Sequence, residues 1–257
     1  MPVVHLPWSA WIRRAEQLAA DEGPASGLLR FYARVLRRQC DAYTSFARHQ
    51  PSESVEGDFR LVAAVGIPLL SDVATGGPAD LAQHARVFLK EPTALESTLK
   101  DYWRTRSNNR FFAKALLQPY MAMRLESGSA LAGSPAHRCP RCGGAPQASI
   151  LDGGSASAEA GGRRLICATC LTAWPFRRVL CPSCGEENER RLGYFQSATL
   201  RHVRVDACDT CGRYIKTIDL GRVGVAVPLV DEVAAAAMDV WARERGYQKI
   251  ELNLAGL

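Results

Sequence analysis

Residues 164–188 read RLICATCLTAWPFRRVLCPSCGEEN and contain two cysteine pairs, each in the pattern CxxC. A further CxxC pair lies on either side of this stretch, in CPRCG at 139–143 and in CDTCG at 208–212. The two-residue spacer folds the backbone into a tight turn, or knuckle, that directs both sulfur atoms toward one point. Two knuckles together supply the four thiolates of a zinc ribbon or a rubredoxin. The four pairs therefore predict two four-cysteine metal sites.

The spacing of the knuckles indicates an internal repeat. CPRCG at 139–143 recurs as CPSCG at 181–185, an offset of 42, and CATC at 167–170 recurs as CDTC at 208–211, an offset of 41. Each unit has the length of a β-hairpin between two knuckles, so we expect sequential pairing, although a crossed pairing of outer and inner knuckles also fits. The predicted ligands are Cys139, Cys142, Cys167 and Cys170 at the first site, and Cys181, Cys184, Cys208 and Cys211 at the second.

The residues just after the knuckles bear on how the sulfur atoms are held. Glycine follows three of the knuckles, at Gly143, Gly185 and Gly212. Glycine permits the left-handed turn that points backbone N–H groups at sulfur. Leu171 follows the remaining knuckle and departs from this pattern. Trp174 and Tyr214 come shortly after two of the knuckles, and we expect their rings to shield the metal sites from water.

The segments between paired knuckles are predicted to form hairpins. In the second unit, residues 192–197 and 201–207 have the composition of two β-strands. In the first unit, residues 153–162 read GGSASAEAGG, which predicts a flexible hairpin tip.

The chain before the first knuckle is predicted to be helical. Apolar residues recur at helical spacing over residues 28–46, and Ser26 is a candidate N-cap for that helix. Cys40 belongs to the apolar face of the same helix, which predicts a small buried side chain rather than a ligand. A second amphipathic run covers residues 111–121, with a kink expected at Pro119.

The predicted fold class is α+β, with a helical N-terminal domain, two tandem rubredoxin-like (zinc-ribbon) modules and a C-terminal helix. Residues 127–137, SGSALAGSPAH, are small and rich in helix breakers, which predicts a linker. We therefore expect a helical domain over residues 1–130 and a metal-binding ribbon region over residues 131–257. The C-terminal helix is predicted to begin at Asp231 as N-cap and to end at Gly246. Loss of one cysteine ligand should then unfold one ribbon and spare the N-terminal helices.

Charge and composition are those of an ordinary globular protein. The 257 residues are 47% hydrophobic and 23% charged, and the formal net charge is +6. Eight thiolates binding two divalent ions would lower that charge to about +2. The high isoelectric point is therefore weak evidence for nucleic-acid binding.

No membrane span and no secretory signal are predicted. The longest apolar stretch, LVAAVGIPLL at 61–70, is far shorter than the roughly 20 residues that a bilayer requires. The N-terminal residues 1–17 lack a basic leader followed by an apolar core. We therefore expect a cytoplasmic protein, in which cysteines stay reduced and bind metal more often than they form disulfides.

Catalysis is not predicted. The sequence shows no nucleophile–base motif, Walker loop or dinucleotide fingerprint. Four thiolates fill a tetrahedral shell and leave no open position, which favours structure or electron transfer over hydrolysis. Iron and zinc both suit such a shell, so the expected cofactors are two metal ions, iron or zinc, each held by four cysteines.

Over nearly its whole length the sequence resembles the formate dehydrogenase accessory protein family, FdhE. Four segments carry the resemblance: FFAKALLQPY at 111–120, RLICATCLTAWPFRRVLCPSCGEEN at 164–188, RVDACDTCGRYIKTIDL at 204–220 and AVPLVDEVAAAAMDVWARERGYQKI at 226–250. A CxxC repeat alone occurs in many ribbons, whereas the run from CDTCGRYIKT to the PLVDE helix is much more specific. The conserved cysteines of the family correspond to the eight predicted ligands.

The resemblance implies a cytoplasmic factor needed for active respiratory formate dehydrogenase. It implies contact with the catalytic subunit of that enzyme, a molybdenum or tungsten pterin protein, and iron at the cysteine sites. It also implies a helical N-terminal region joined to tandem rubredoxin-like modules. The sequence predicts no particular oligomeric state.

A zinc-ribbon nucleic-acid-binding protein is the alternative function. Ribbons serve in transcription and translation, and arginines are frequent around these knuckles. The arginines concerned are Arg163, Arg164, Arg177, Arg178, Arg190, Arg191, Arg201 and Arg204. Because the metal sites nearly cancel the net charge, no nucleic-acid partner is expected.

Overall fold

The computed structural model of the protein describes residues 6–106, 111–126, 136–153 and 162–257. Within these ranges the elements follow the predicted order, with helices first, then a sheet bearing the knuckles, then short helices. The α+β fold class is confirmed. Residues 127–135 of the predicted linker and 154–161 of the predicted hairpin tip lie outside the described residues. The expected boundary between residues 130 and 131 lies there as well and stays a prediction.

The described part of the N-terminal half contains seven α-helices. They are α1 (Trp8–Ala20), α2 (Ser26–Phe46), α3 (Phe59–Val65), α4 (Ile67–Gly76), α5 (Ala79–Lys90), α6 (Pro92–Thr105) and α7 (Phe111–Glu126). Amphipathic spacing explains α1 and α2, which pack against each other through apolar faces that include Trp11 and Leu36. The predicted helix over 28–46 is confirmed, although Ser26 is its first residue and Ala25 occupies the cap position.

Helix α7 lies in the middle of the helical region and contacts α2, α3 and α6. Its residues from Phe112 to Leu125 are buried on all sides, as expected of a helix whose sequence is apolar almost all round. The helix continues through Pro119. The buried amide of Gln118 lies between Gln39 on α2 and the backbone of the first metal-binding unit.

The described strands form one sheet that joins both cysteine units. They are β1 (Pro146–Leu151), β2 (Arg163–Cys167), β3 (Ala173–Phe176), β4 (Leu192–Gln196), β5 (Val203–Cys208), β6 (Arg213–Asp219) and β7 (Gln248–Lys249). Their order is β3-β2-β1-β6-β5-β4, with β7 also beside β6. The hairpins β1–β2 and β4–β5 are antiparallel, as predicted for each unit, and β1 and β6 pair in parallel across the two units.

The C-terminal segment forms two helices rather than the single predicted one, α8 (Pro228–Ala234) and α9 (Ala236–Glu244). The buried ammonium group of Lys216 on β6 donates to the carbonyl oxygens of Glu232 and Ala235, at the point where the helix divides. The Lys216 side chain thus bonds to the helical backbone at the break, where the Ala235 carbonyl also accepts the Met238 N–H at 3.0 Å. Asp231 lies inside α8, where its carboxylate accepts the Val227 N–H at 2.8 Å, so it caps the helix from within.

Helix α8 connects the helical region to the sheet. It contacts α1 and α2 on one side and β1 and β6 on the other. Its buried side chains Leu229, Val230 and Val233 belong to one hydrophobic cluster that includes both the N-terminal helices and the sheet. The ribbons and the described helices therefore share a continuous core.

No single helix in the described ranges has the length and hydropathy needed to cross a membrane. The helical segments Glu56–Val65 and Ile67–Gly76 reach those values only when taken together, across a bend of 49°. Leu69, Leu70 and Val73 of the second segment are buried in the protein core.

Candidate metal centres

The structure brings the eight predicted cysteines together in two sets of four, with the sequential pairing. In each set the four sulfur atoms all lie within 4.8 Å of one another. The first set, called the first centre below, is Cys139, Cys142, Cys167 and Cys170. The second set, called the second centre, is Cys181, Cys184, Cys208 and Cys211.

The separations between sulfur atoms fit metal ligation better than disulfide bonding. In the second centre the Cys181–Cys211 and Cys184–Cys208 Sγ pairs are each 3.8 Å apart. A regular tetrahedron with metal–sulfur bonds of about 2.3 Å places its sulfur atoms about 3.8 Å apart. A disulfide would require about 2.05 Å.

The first centre is slightly tighter. The Sγ atom of Cys142 lies 3.4 Å from those of both Cys167 and Cys170, and the Cys139–Cys170 separation is 3.5 Å. These distances also exceed any covalent bond between sulfur atoms. Burial raises the pKa of the Cys167 thiol well above its ordinary value. A metal ion would offset that penalty by stabilising the thiolate form, so the donor set fits a soft divalent ion.

All four knuckles have the same backbone turn. In each, the residue after the second cysteine has a positive φ, with values of 70° at Gly143, 61° at Leu171, 79° at Gly185 and 65° at Gly212. Its N–H donates to the carbonyl of the first cysteine, as in Gly143 to Cys139 at 2.9 Å and Leu171 to Cys167 at 3.2 Å. Leu171 therefore departs from the glycine pattern in sequence and keeps the turn in structure.

Backbone N–H groups also point at sulfur, as the pattern predicts. The Thr169 N–H donates to Cys167 Sγ at 3.3 Å, and the Ser183 N–H donates to Cys181 Sγ at 3.4 Å. Such bonds stabilise thiolates and fix the orientation of the sulfur atoms.

Helices cover the first centre. The Gln118 side chain on α7 donates to the Ala168 carbonyl, inside the second knuckle, at 2.9 Å. The Arg106 guanidinium stacks 3.8 Å above the Trp103 ring and donates to Thr169 Oγ1 at 3.4 Å. The four thiols are 0–6% exposed. The first centre is thus part of the protein core.

The second centre faces solvent on one side. Cys181 and Cys208 are buried, whereas Cys184 is exposed and Cys211 is half-buried. A cleft of about 490 Å³ borders the two buried cysteines and is lined also by Arg178 and Tyr194. The two sites therefore have the same donor set but differ sharply in how exposed their cysteines are to solvent.

The floor of this cleft is a polar face of the sheet. Arg163 on β2 is buried, donates to Ser149 Oγ at 2.9 Å and lies 3.4 Å from the Asp206 carboxylate. Thr217 Oγ1 donates to the same carboxylate at 2.6 Å. Alternation along the strands places these polar groups opposite the apolar face that packs on α8.

A buried ionic network that the sequence did not predict lies on the opposite face. Lys216 and Lys249 pair there with Glu232 and Asp239, at 3.0 Å for Lys216–Glu232 and 3.3 Å for Lys249–Asp239. All four side chains are 0–4% exposed. Burial alone raises the pKa of Glu232, but the two ammonium groups together bring it below its ordinary value. The sequence does contain one sign of this network. Lys216 alternates with Tyr214 and Ile218, so it lies on the same apolar face of β6 and needs a buried partner for its charge.

The structure also places the two aromatic residues that were expected to shield the metal sites and the cysteine that was expected to be buried. Trp174 is buried and its indole N–H donates to the Ala136 carbonyl at 3.1 Å. Tyr214 is buried in the ionic network, where its hydroxyl donates to Asp239 at 2.8 Å. Cys40 is half-buried rather than fully enclosed.

Two family models match the chain, and their boundary separates the two centres. The model described as FdhE, central domain, matches residues 138–178, which contain the first centre. The model described as FdhE, C-terminal domain, matches residues 179–255, which contain the second.

Curated relatives carry the same family name. The chain is 40% identical over 119 residues to "Protein FdhE homolog" of Aquifex aeolicus, a match covering 46% of this chain and 41% of that protein. It is 31% identical over 170 residues to the homologue of Edwardsiella ictaluri, covering 63% of this chain and 54% of the relative. The matched part of the chain thus spans about half or less of the length of these relatives.

The crystal structure of the FdhE protein from Pseudomonas aeruginosa has the same fold. The TM-score is 0.68 at 23% identity, and the match covers 98% of this chain and 97% of that one. The shared fold therefore includes the helical region as well as the sheet that carries the cysteines in this chain. Residues 138–255 therefore match the central and C-terminal domains of the FdhE family, and nearly the whole chain has the fold of an FdhE protein.

Proposed function

We propose that this protein is a cytoplasmic accessory factor needed for active formate dehydrogenase, that it binds the catalytic subunit of that enzyme, and that it is not itself a catalyst. The match of residues 138–255 to the FdhE central and C-terminal domains is the observation that carries the proposal. The FdhE resemblance extends over segments on both sides of the centres, including 111–120 and 226–250.

We also propose that each centre binds one metal ion, iron or zinc, through its four cysteines. The sulfur separations of 3.4–3.8 Å and the burial of most thiols support this assignment. A four-thiolate shell is closed, which suits a structural or electron-transfer ion better than a hydrolytic one.

Capture of the enzyme tests the proposed partner. The full chain, tagged and returned to formate-grown cells of its source organism, should retain the formate dehydrogenase catalytic subunit during mild purification. A tagged unrelated rubredoxin is the control, because it presents the same thiolate chemistry without this surface. Capture of the subunit by both baits, or by neither under conditions that preserve weak complexes, contradicts the proposal.

Deletion of the gene tests the accessory role. Cells without the protein should lose formate dehydrogenase activity while still containing the catalytic polypeptide, and the full chain supplied on a plasmid should restore activity. Unchanged activity in the deletion strain would show that the enzyme matures without this protein.

Elemental analysis tests the metal assignment. The protein purified anaerobically from cells supplied with both iron and zinc should hold two ions per chain. Iron gives a visible thiolate-to-iron charge-transfer band, whereas a zinc protein is colourless. An ion count well below two contradicts the ligand sets.

The structure does not favour the nucleic-acid alternative. Four of the eight arginines that suggested it are paired with carboxylates of the chain itself, as Arg163–Asp206, Arg164–Asp152, Arg177–Glu187 and Arg204–Asp206. Paired arginines have less charge available for phosphate groups. A binding assay across salt concentrations decides the matter, because electrostatic binding to nucleic acid must weaken steeply as salt rises.

A further inference from the structure

The two centres have the same four thiols and differ in what surrounds them. The first centre has no cysteine more than 6% exposed, whereas the second presents Cys184 to solvent and leaves Cys211 half-buried. Since the ligand chemistry is identical, any difference in metal exchange between them must come from the surrounding protein.

Opening the first centre requires breaking contacts between the helices and the first unit. Gln118 on α7 holds the Ala168 carbonyl, and Arg141, inside the first knuckle, donates to the Leu125 carbonyl at the end of α7. The buried Trp174 also links β3 to the residues before the first knuckle, through its bond to the Ala136 carbonyl. A chelator or a competing ion can reach these sulfur atoms only if part of the core opens, which is a rare event in a stable protein.

The second centre can be reached without such an opening. One side is the exposed Cys184 thiol, and the other is the cleft that borders Cys181 and Cys208. Its strands β5 and β6 pair along six residues and carry the buried ionic network of Lys216 on their far face. The sheet therefore has stabilising contacts that do not depend on an ion at the second centre.

We propose that the second centre is an exchange site, at which thiophilic cations and thiol-reactive compounds gain access in the folded protein, while the first centre holds its ion until the core opens. The proposal rests on the metal ligation proposed above. In the exchange step the four thiolates pass from the resident divalent ion to an incoming one of the same charge, so no electron is transferred and no proton is released. Soft divalent cations such as Cd²⁺ are the expected class of competitor.

Zinc release from the intact chain measures the difference. The full-length protein loaded with two zinc ions is mixed with excess 4-(2-pyridylazo)resorcinol, a chelator that changes colour on binding zinc. We expect one ion per chain to leave at least about ten times faster than the other. Equal rates from a chain that holds two ions would overturn the exchange proposal and leave the ligand sets intact.

Alkylation identifies which centre releases the fast ion. Brief treatment with iodoacetamide during zinc release, followed by peptide mass mapping, should modify Cys184 and Cys211 before Cys139 and Cys167. The reaction forms a sulfur–carbon bond and expels iodide, so the modified sulfur no longer ligates as a thiolate. Earlier or equal labelling of the first-centre cysteines would overturn the proposal.

Matched ligand variants provide the control. Cys211→Ser should abolish the fast zinc phase and preserve the slow one, whereas Cys170→Ser should abolish the slow phase. Should Cys170→Ser fail to fold, the alkylation map of the unaltered chain still decides the order. A chain that keeps only one ion after zinc loading contradicts the ligand set of the centre that is empty. A chain with no ion contradicts both the exchange site and the proposed ligation.

Discussion

At the scale of single residues, the knuckles depend on four positions with positive φ. Glycine fills three of them without strain, whereas Leu171 takes φ = 61° with a side chain that is 7% exposed. The left-handed conformation costs a residue with Cβ about 1–2 kcal/mol, and burial of a leucine side chain contributes about 1.5–3 kcal/mol. The buried side chain thus offsets the backbone strain, which explains how the knuckle tolerates the departure from glycine.

Gly185 has no such compensation available. A Cβ atom built there meets nothing within 4 Å, so Gly185→Ala adds backbone strain at φ = 79° and no packing. We expect a loss of about 1–2 kcal/mol in the free energy of unfolding, measured by urea denaturation, with two metal ions retained. Gly224→Ala is the control, because its site is equally open without a positive φ. That variant should be neutral or slightly more stable, and equal losses in both would contradict the conformational account.

Asp231 joins three parts of the chain. Its carboxylate accepts from Arg14 on α1 at 2.6 Å, from His202 Nε2 at 2.7 Å and from the Val227 N–H at 2.8 Å. Asp231→Asn leaves the largely buried Arg14 cation without its counter-charge, so we expect the free energy of unfolding to fall by about 3–5 kcal/mol.

The matched control for Asp231 is an exposed ion pair. Glu187→Gln removes a partner of Arg177 at 2.6 Å, where both side chains are more than half exposed. Its effect should stay below about 1 kcal/mol, because water and salt screen surface pairs. Urea denaturation of both variants makes the comparison, and a similar cost in the two would show that the Arg14 contact does not depend on burial.

At the scale of secondary-structure elements, close approach between helices decides the packing of α7. Gly66 separates α3 from α4, and a Cβ atom there would lie 2.6 Å from Cδ1 of Leu116 on α7. Glycine at this position therefore lets the buried helix pack directly against the backbone between its neighbours.

Alanine at two helix-associated glycines should have opposite effects. Gly66→Ala forces Leu116 to move and should lower the free energy of unfolding by about 1–3 kcal/mol. Gly27→Ala, in the first turn of α2 with open space around the new methyl group, should raise it by up to about 1 kcal/mol. Thermal denaturation followed by circular dichroism shows whether each variant is more or less stable than the parent protein. A stabilising Gly66→Ala would contradict the steric argument.

At the scale of the whole molecule, one sheet and one core join what the sequence presents as separate modules. The parallel pairing of β1 with β6 fuses the two cysteine units, and α8 packs the N-terminal helices onto that sheet. Damage to the first centre should therefore spread into the helices, contrary to the expectation drawn from the repeat alone.

Loss of a cysteine ligand should destabilise a larger part of the protein at the first centre than at the second. Cys139→Ser, at a 0% exposed ligand, should speed hydrogen exchange in α1 and α2 as well as in β1 and β2. Cys184→Ser, at the exposed ligand, should leave α1 and α2 protected and change exchange only near the second centre. Mass spectrometry of exchanged peptides measures hydrogen exchange in both variants. Full protection of α1 and α2 in Cys139→Ser would show that the helices and the ribbon unfold independently.

The sequence by itself determined the eight cysteines, the two hairpins and the helical N-terminal half, and it favoured the sequential pairing over the crossed one. These features depend on local spacing, because a two-residue spacer, a strand and an amphipathic helix are each defined within a short stretch of chain. The division of the C-terminal helix, the buried network around Lys216 and the unequal exposure of the centres were decided only by the tertiary structure. Each depends on which groups from distant parts of the chain meet, and no local pattern records whether Gln118 will cover one knuckle while Cys184 remains in water.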